Sequence, residues 1–408
     1  VKKDIENLVP GDQKKSIAKF VELCKDRVNK FAKIQTEQTK RLGNFMDWDH
    51  SYYTMSDENN YMIWHFLQTC HQKGWIYKGR DSVPWCPRCE TAISQHEMLT
   101  EDYKEVVHDS VYFELPIIGK KNEYLLVWTT TPWTIPANIA VAVDENFDYA
   151  LVKGTTGDLF WVVKELVNKI FGKDPQVVKT VKGKELVGLS YRGPFDELPA
   201  VSEIAQSNPN TFHKVIPTDP LILPITTSEG TGLVHTAVSA GSEDYRLGMK
   251  LGLPMIPVIA DDASYIGGFD FLTGKNAKKH PELVLDFLNR DDKNGKNWVF
   301  QIEKYMHRYP ACWRCKTELV WKVADEWYIA MDRPDQKDIK GRTLRQQMQD
   351  VAKQIRWLPG FGLERELDWL THMHDWLISK PNRYWGLALP IYECKKCGHF
   401  EVIGSKTE

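Results

Sequence analysis

The chain has 408 residues, of which 42% are hydrophobic and 26% charged, a balance ordinary for a globular protein of two or three domains. Lys and Arg total 53 against 55 Asp and Glu, giving a net charge of −2. This excludes a global basic field and confines any RNA contact to local patches such as Lys25, Arg27, Lys30 and Lys33, or Lys278 and Lys279, each of which reads equally well as a solvated helix face. No apolar run reaches the length that crosses a bilayer, and the start carries no signal-peptide pattern.

Asp12 is placed to cap a helix running to about Lys40, with Ile17, Phe20, Val21, Cys24, Val28 and Phe31 on one face and Gly43 as its stop. A second helix is predicted from near Asp57 to Gly74. The composition changes at about Val106. Short strands are predicted at 124–128, 139–143, 149–152 and 159–163, with further pieces at 221–225 and 232–235. Short strands at this spacing predict a β-barrel-like domain with a few helices. Pro281 opens a helix through Phe287, and charged helical sequence follows at 338–355. A Trp-rich stretch then runs from Trp357 to Trp385. The chain opens on Val1 and closes just after a cysteine pair, so the expectation is a fragment cut at both ends.

Three Cys-x-x-Cys pairs punctuate the chain: Cys86 with Cys89, Cys312 with Cys315, and Cys394 with Cys397. Two thiolates at this spacing make half of a tetrahedral zinc site, so the first two pairs can close one Cys₄ site. The segment between them is long enough to be a domain, which predicts a zinc clip at the neck of an insertion. Two separate ribbons, or a redox pair, fit the same spacing. Paired knuckles without a secretory signal point to a reducing cytosol.

Two further segments could carry chemistry. In the first, Thr129, Thr130 and Thr131 end a strand before Pro132, and Asn138 follows. Their hydroxyls suit holding a water or a sugar hydroxyl, and the run reads equally as good strand sequence. In the second, glycines flank a short strand that carries His235, and Asp244 follows. An ionised Asp accepts from an ammonium group. A satisfied structural His and an Asp facing a helix dipole are the alternatives. No P-loop, zinc-protease motif or nucleophile elbow is present.

Taken together, WCPRCETAISQHE, VWTTTPWTIPAN, GTGLVH followed by EDY, YPACWRCKTELVW and NRYWGLALPIY resemble the isoleucyl-tRNA synthetases in residues and in order, across 1–408. The resemblance implies an α/β fold. Parts of a class I Rossmann catalytic domain are interrupted by a zinc-bearing connective region and a β-barrel-like editing domain. It implies a helical connective or catalytic part at 1–75, connective core at 76–106 and 307–335, an editing domain at 107–306, and a return to the catalytic domain at 336–408. The ATP-binding signatures of His-Ile-Gly-His and Lys-Met-Ser-Lys-Ser type are absent. ATP and Mg²⁺ would therefore act only in a longer enzyme, a cytoplasmic monomer without membrane contact that charges tRNA(Ile) with isoleucine.

Valine, smaller by one methylene, enters an isoleucine pocket, and this amino-acid pair is the standing example of a problem solved by a second, hydrolytic site. By resemblance, Thr129, Thr130 and Thr131 would position the terminal ribose and the attacking water, and Asn138 would support their loop. Asp244 would bind the α-ammonium of the misplaced valine, and His235 would lie against its side chain and exclude isoleucine. Cys86, Cys89, Cys312 and Cys315 would hold Zn²⁺, while Cys394 and Cys397 would be half of a second site. One departure stands out: the family's Ala-Pro turn after the His is replaced by Ala237-Val238-Ser239-Ala240-Gly241, which points to a reshaped loop before Asp244 and weaker editing. A valyl relative (which usually has Arg where Thr131 stands), a leucyl relative, and a zinc-ribbon tRNA-binding module without catalysis are the other readings.

Overall fold

The computed structural model describes residues 2–94, 97–98, 103–291, 297–335, 337–380 and 382–408. Gln95 and His96 of the first knuckle motif lie outside the described residues. The fold is mixed α/β and divides into two compact units, Val1–Arg80 with Asp325–Glu408, and Asp81–Ala324. Among the described residues no helix is long and apolar enough to cross a membrane.

The unit Asp81–Ala324 is built on a curled mixed sheet. Among the described residues its nine strands are β1 Tyr103–Pro116, β2 Glu123–Thr129, β3 Ala140–Val143, β4 Asp148–Lys153, β5 Leu159–Val163, β6 Gln176–Lys182, β7 Lys214–Pro217, β8 Val234–Thr236 and β9 Val299–Pro310. The order runs β6-β4-β5-β2-β8-β3-β7, with β1 joined to β2 and β9. Every residue of β3 is buried, as suits an Ala/Val strand covered on both faces. By contrast β6, at the sheet edge, is exposed except at Val181, and its lysines guard that edge.

Strands β1 and β9 form an antiparallel ladder from Tyr103 opposite Pro310 to Phe113 opposite Val299. This two-stranded neck runs without interruption through 106/107 and 306/307. Strand β8 inserts between β2, which it meets in parallel at Trp128, and β3, which it meets antiparallel with His235 opposite Val141. That insertion decides what lies around the threonines.

The predicted strand at 221–225 does not form. Pro220 and Pro224 remove two ladder donors, and Asp219 instead gathers the amides of Ile222 and Leu223 at 2.9 and 2.8 Å into a turn. The helix Ser242–Leu251 opens with Asp244 in its first turn, the placement given as the alternative for that residue.

In the other unit, Asp12 caps the helix Gln13–Arg41, its carboxylate accepting from the Lys15 amide. The apolar stripe forms but is not buried, for Ser16 alone is fully covered in this helix. Arg27 and Lys30 lie over the Phe31 ring at 4.8 and 5.7 Å, so charged stems rather than a core cover that position. Ser56 caps the helix Asp57–Gln72, which leads to Gly74 at φ +73°. The core here joins Leu67, Cys70, Trp75, Ile76, Ile329, Met331, Leu344 and Val402. The charged helix covers Leu344–Ala352, behind a capping box of Thr343 and Gln346. It starts later than expected because Asp338 is engaged in a loop, accepting from the Arg342 amide and guanidinium at 2.9–3.1 Å.

Candidate active site and metal centre

Cys86, Cys89, Cys312 and Cys315 converge so that their sulfurs all lie within 4.8 Å of one another. A tetrahedral Zn–S shell with bonds of about 2.3 Å requires S···S separations of about 3.8 Å, so this group could hold a metal ion with small adjustment. The two turns are built alike. Glu90 N–H donates to Cys86 O and Lys316 N–H to Cys312 O, both at 2.8 Å, and Glu90 and Lys316 both take a left-handed φ, of 52° and 58°. Ile93 and Leu319 pack beneath the sulfurs. Burial pushes Cys86 far up. Burial also opposes ionisation of Cys315, but the Thr317 hydroxyl and amide and the neighbouring thiols outweigh it and bring Cys315 down to about 7. A bound cation would remove the burial cost by ionising the thiols outright. Cys394 and Cys397 are exposed in the turn between strands Ile391–Glu393 and Phe400–Val402. Among the described residues, no third ligand joins them.

The threonines end β2. Thr129 is buried, and its Oγ1 accepts the Thr131 amide at 3.1 Å, so this hydroxyl shapes the turn. Thr130 and Thr131 line a small pocket together with His108, Asp109 and Lys278. The chain then enters the 3₁₀ turn Pro132–Ala137, every residue of which is buried, and crosses beneath β8 to reach β3. Because β8 lies between the two strands, His235 falls between the turn and Asn138. Its Nε2 is 3.0 Å from Thr134 Oγ1 and its Nδ1 is 2.7 Å from Asn138 Nδ2. Asn138 also donates to Ala140 O at 3.1 Å and accepts from the Tyr191 hydroxyl at 2.6 Å. Burial, assisted by the nearby His213, pushes His235 down to about 3, so the ring is neutral at physiological pH. Gly232 makes the approach of β8 possible. It takes φ +74°, and a Cβ there would lie 2.3 Å from Val163 Cβ.

Asp244 stands in the first turn of the helix Ser242–Leu251. Its carboxylate points back to Ala237, the residue after β8, and accepts that amide at 3.3 Å. Gly241 leaves the room for this, since a Cβ there would come within 2.6 Å of Asp244 Oδ2. Burial, with Glu243 adding to it and the Ala237 amide opposing, pushes Asp244 up to about 7. The turn without Pro is well anchored: Ala240 N–H donates to Ala237 O at 2.8 Å, and the Ser239 hydroxyl donates to Ile256 O at 2.5 Å.

Thr129, Thr131, Asn138 and His235 thus meet in one hydrogen-bonded group, with Thr130 at its pocket. Asp244 lies at the end of the strand that carries His235 and does not line that pocket. Sequence reasoning passed over Thr134, Tyr191, His108 and Asp109. Thr134 lay within a motif already singled out, whereas Tyr191 and His108 are lone residues whose partners are remote in sequence. Lys278, read as a solvated basic patch, is instead paired with Glu318 at 2.6 Å and lies over the Tyr309 ring.

The sequence profile of the tRNA synthetases class I (I, L, M and V) matches residues 2–408. Isoleucine--tRNA ligases are similar along nearly the whole chain. That of Saccharolobus solfataricus is 33% identical over 95% of this chain and 37% of its own length. The Methanopyrus kandleri ligase is 35% identical over 100% of this chain and 36% of its own length. The Pyrococcus furiosus ligase is 36% identical, with the same coverage of 100% and 36%. The chain therefore spans little more than a third of these relatives. Among solved structures, GlLeuRS-CP1 is 14% identical at a TM-score of 0.34, covering 48% of this chain and 99% of that one. The editing domain of the P. falciparum cytosolic leucyl-tRNA synthetase is 11% identical at a TM-score of 0.26, covering 34% of this chain and 64% of that one. With a profile match over all but its first residue, the chain belongs to the class I tRNA synthetases of the I, L, M and V group.

Proposed function

We propose that the chain is the part of an isoleucine--tRNA ligase that carries the hydrolytic editing site for Val-tRNA(Ile). The observation that carries this reading is the 31–36% identity to isoleucine--tRNA ligases over 95–100% of the chain. The longer enzyme would charge tRNA(Ile) with isoleucine using ATP and Mg²⁺, as a cytoplasmic monomer. Residues 107–306 would be the editing domain. The connective core at 76–106 and 307–335 would be clipped by Zn²⁺ on Cys86, Cys89, Cys312 and Cys315. Cys394 and Cys397 would be half of a second zinc site, and 1–75 and 336–408 would flank the insertion.

In the editing step, the oxygen of a water molecule attacks the carbonyl carbon of the valyl ester. The ester C–O bond breaks, the ribose oxygen leaves carrying a proton, and valine and tRNA are released. Thr130 and Thr131 line a small pocket, and their hydroxyls would position the terminal ribose and the water. Thr129 and Asn138 fix the turn that presents them. Asp244, once ionised, would pair with the valine α-ammonium, and His235, neutral and buried, would bound the side-chain space. No side-chain nucleophile is required, because positioning and hydrogen bonds to the developing oxyanion lower the barrier.

The test is hydrolysis of Val-tRNA(Ile) and Ile-tRNA(Ile) by the chain. Valine should be released faster than isoleucine, and Asp244→Ala should abolish that release. Release of valine unchanged in Asp244→Ala would sink the assignment.

A further inference from the structure

We infer that Tyr191 and Thr134 are positioning residues of the threonine turn, acting through a one-way hydrogen-bond chain that holds His235 as its Nε2–H tautomer and ends on the Thr131 carbonyl. The inference rests on the editing reading for its consequence, and on geometry alone for its mechanism.

The direction of each bond follows from its neighbours. The Ala140 carbonyl can only accept, so the Asn138 atom facing it at 3.1 Å is the amide nitrogen. Flipping the amide would set two acceptors against each other. The same nitrogen therefore gives its second hydrogen to His235 Nδ1 at 2.7 Å, and Asn138 Oδ1 accepts the Tyr191 hydroxyl at 2.6 Å. With Nδ1 an acceptor, the neutral ring carries its hydrogen on Nε2, which donates to Thr134 Oγ1 at 3.0 Å. The Thr134 hydroxyl must then send its own hydrogen onward, and Thr131 O lies 2.9 Å away. Thr131 O also receives the Thr134 amide at 3.0 Å.

The two peptide units that meet at Thr131 are thus each pinned, the first by Thr129 Oγ1 on the Thr131 amide and the second by Thr134 on the Thr131 carbonyl. The chain starts at Tyr191, 1% exposed, and passes through Asn138 and His235 to Thr134, 5% exposed. Water therefore has little access to stand in for a lost partner. Tyr191 is held in turn by the His213 ring, stacked at 4.6 Å.

Selective ¹⁵N-histidine labelling of the chain, with the His235 signal assigned by its loss in His235→Gln, reads the tautomer directly. A pyrrole-type Nε2 and a pyridine-type Nδ1 are expected. Tyr191→Phe keeps the ring stack and removes one of the two partners, with Ala140 O, that hold the Asn138 amide in place, so the amide should loosen from His235 Nδ1 and the tautomers should mix. Tyr191→Phe and Thr134→Val should each lower kcat for Val-tRNA(Ile) hydrolysis roughly tenfold with KM little changed. Thr134→Ser, which retains the hydroxyl, should restore it.

A pyrrole-type Nδ1 in the unaltered chain, or a tautomer indifferent to both variants, overturns the inference. So does an altered tautomer with undiminished kcat. If the unaltered chain fails to hydrolyse Val-tRNA(Ile) while the tautomer behaves as stated, it is the editing reading that falls.

Discussion

Asp244 shows how one residue can trade stability for binding. Its place in the first helical turn favours a carboxylate, yet burial dominates and raises it from 3.8 to about 7. The unfolded chain therefore ionises Asp244 at lower pH than the folded one. Between pH 4 and 7 the folded state binds the extra proton, so this group's contribution to stability is whole below pH 4 and is lost as the pH rises through 7. A shift of this size corresponds to at most about 4 kcal/mol. Asp244→Asn keeps an acceptor for the Ala237 amide and cannot ionise. It should raise stability at pH 8 by roughly 1–3 kcal/mol in urea titrations, with the gain vanishing near pH 3.5. The same substitution removes the partner of the valine ammonium and should lower hydrolysis of Val-tRNA(Ile) by roughly 10–150-fold, the range for a charged hydrogen bond. For the unaltered chain, kcat/KM for hydrolysis should fall as the pH drops below about 7, as Asp244 takes up its proton. His235, already neutral, adds no second inflection near its ordinary 6.5. A stabilised chain that still hydrolysed Val-tRNA(Ile) at full rate would rule out Asp244 as the ammonium partner.

At the scale of elements, the site exists because β8 slides between β2 and β3, and Gly232 is what admits it. Its left-handed φ of +74° and the 2.3 Å approach of a built Cβ to Val163 Cβ make two separate demands. Gly232→Ala should cost about 2–4 kcal/mol by urea unfolding, combining backbone strain with overpacking. Trimming Val163 to Ala should not rescue it, because the clash is with the Cβ itself. Rescue by that trimming would locate the cost in Val163's methyls instead. This insertion was not legible in the sequence. The strands 124–128, 149–152 and 159–163 announced themselves by apolar runs between turn residues, and all three formed, as Glu123–Thr129, Asp148–Lys153 and Leu159–Val163. Which strand lies beside which depends on pairings remote in sequence, such as His235 opposite Val141 or Tyr103 opposite Pro310. The threonines, His235 and Asn138 could be singled out by residue type and by motif. Tyr191 could not, because a lone Tyr acquires meaning only when the fold brings it to Asn138. The strand expected at 221–225 failed for a local reason that was visible, namely Pro220 just before it and Pro224 within it.

On the scale of the molecule, the two units differ in what a cation can do for them. In the unit Asp81–Ala324 the four sulfurs converge where the knuckles meet the base of the β1–β9 neck, so a metal there links residues far apart in sequence. In the other unit Cys394 and Cys397 are exposed on a short hairpin whose own hydrogen bonds, such as Cys394 N–H to His399 O at 2.7 Å, already close the turn. The purified chain should therefore carry one metal equivalent by elemental analysis. Cys86→Ser or Cys312→Ser should empty it, and Cys394→Ser should leave it unchanged. A ligand that binds only the folded form stabilises by mass action, and it stabilises the unit whose parts it joins. Chelation should therefore lower one thermal transition and leave the other in place. After chelation, hydrogen exchange should rise along 86–94, 312–319 and the adjoining rungs of the neck, while the helix Asp57–Gln72 keeps its protection. Two metal equivalents, or exchange that rises equally in both units, would mean that the third cysteine pair completes a site of its own. The clip would then not be the only point at which a cation stabilises the fold.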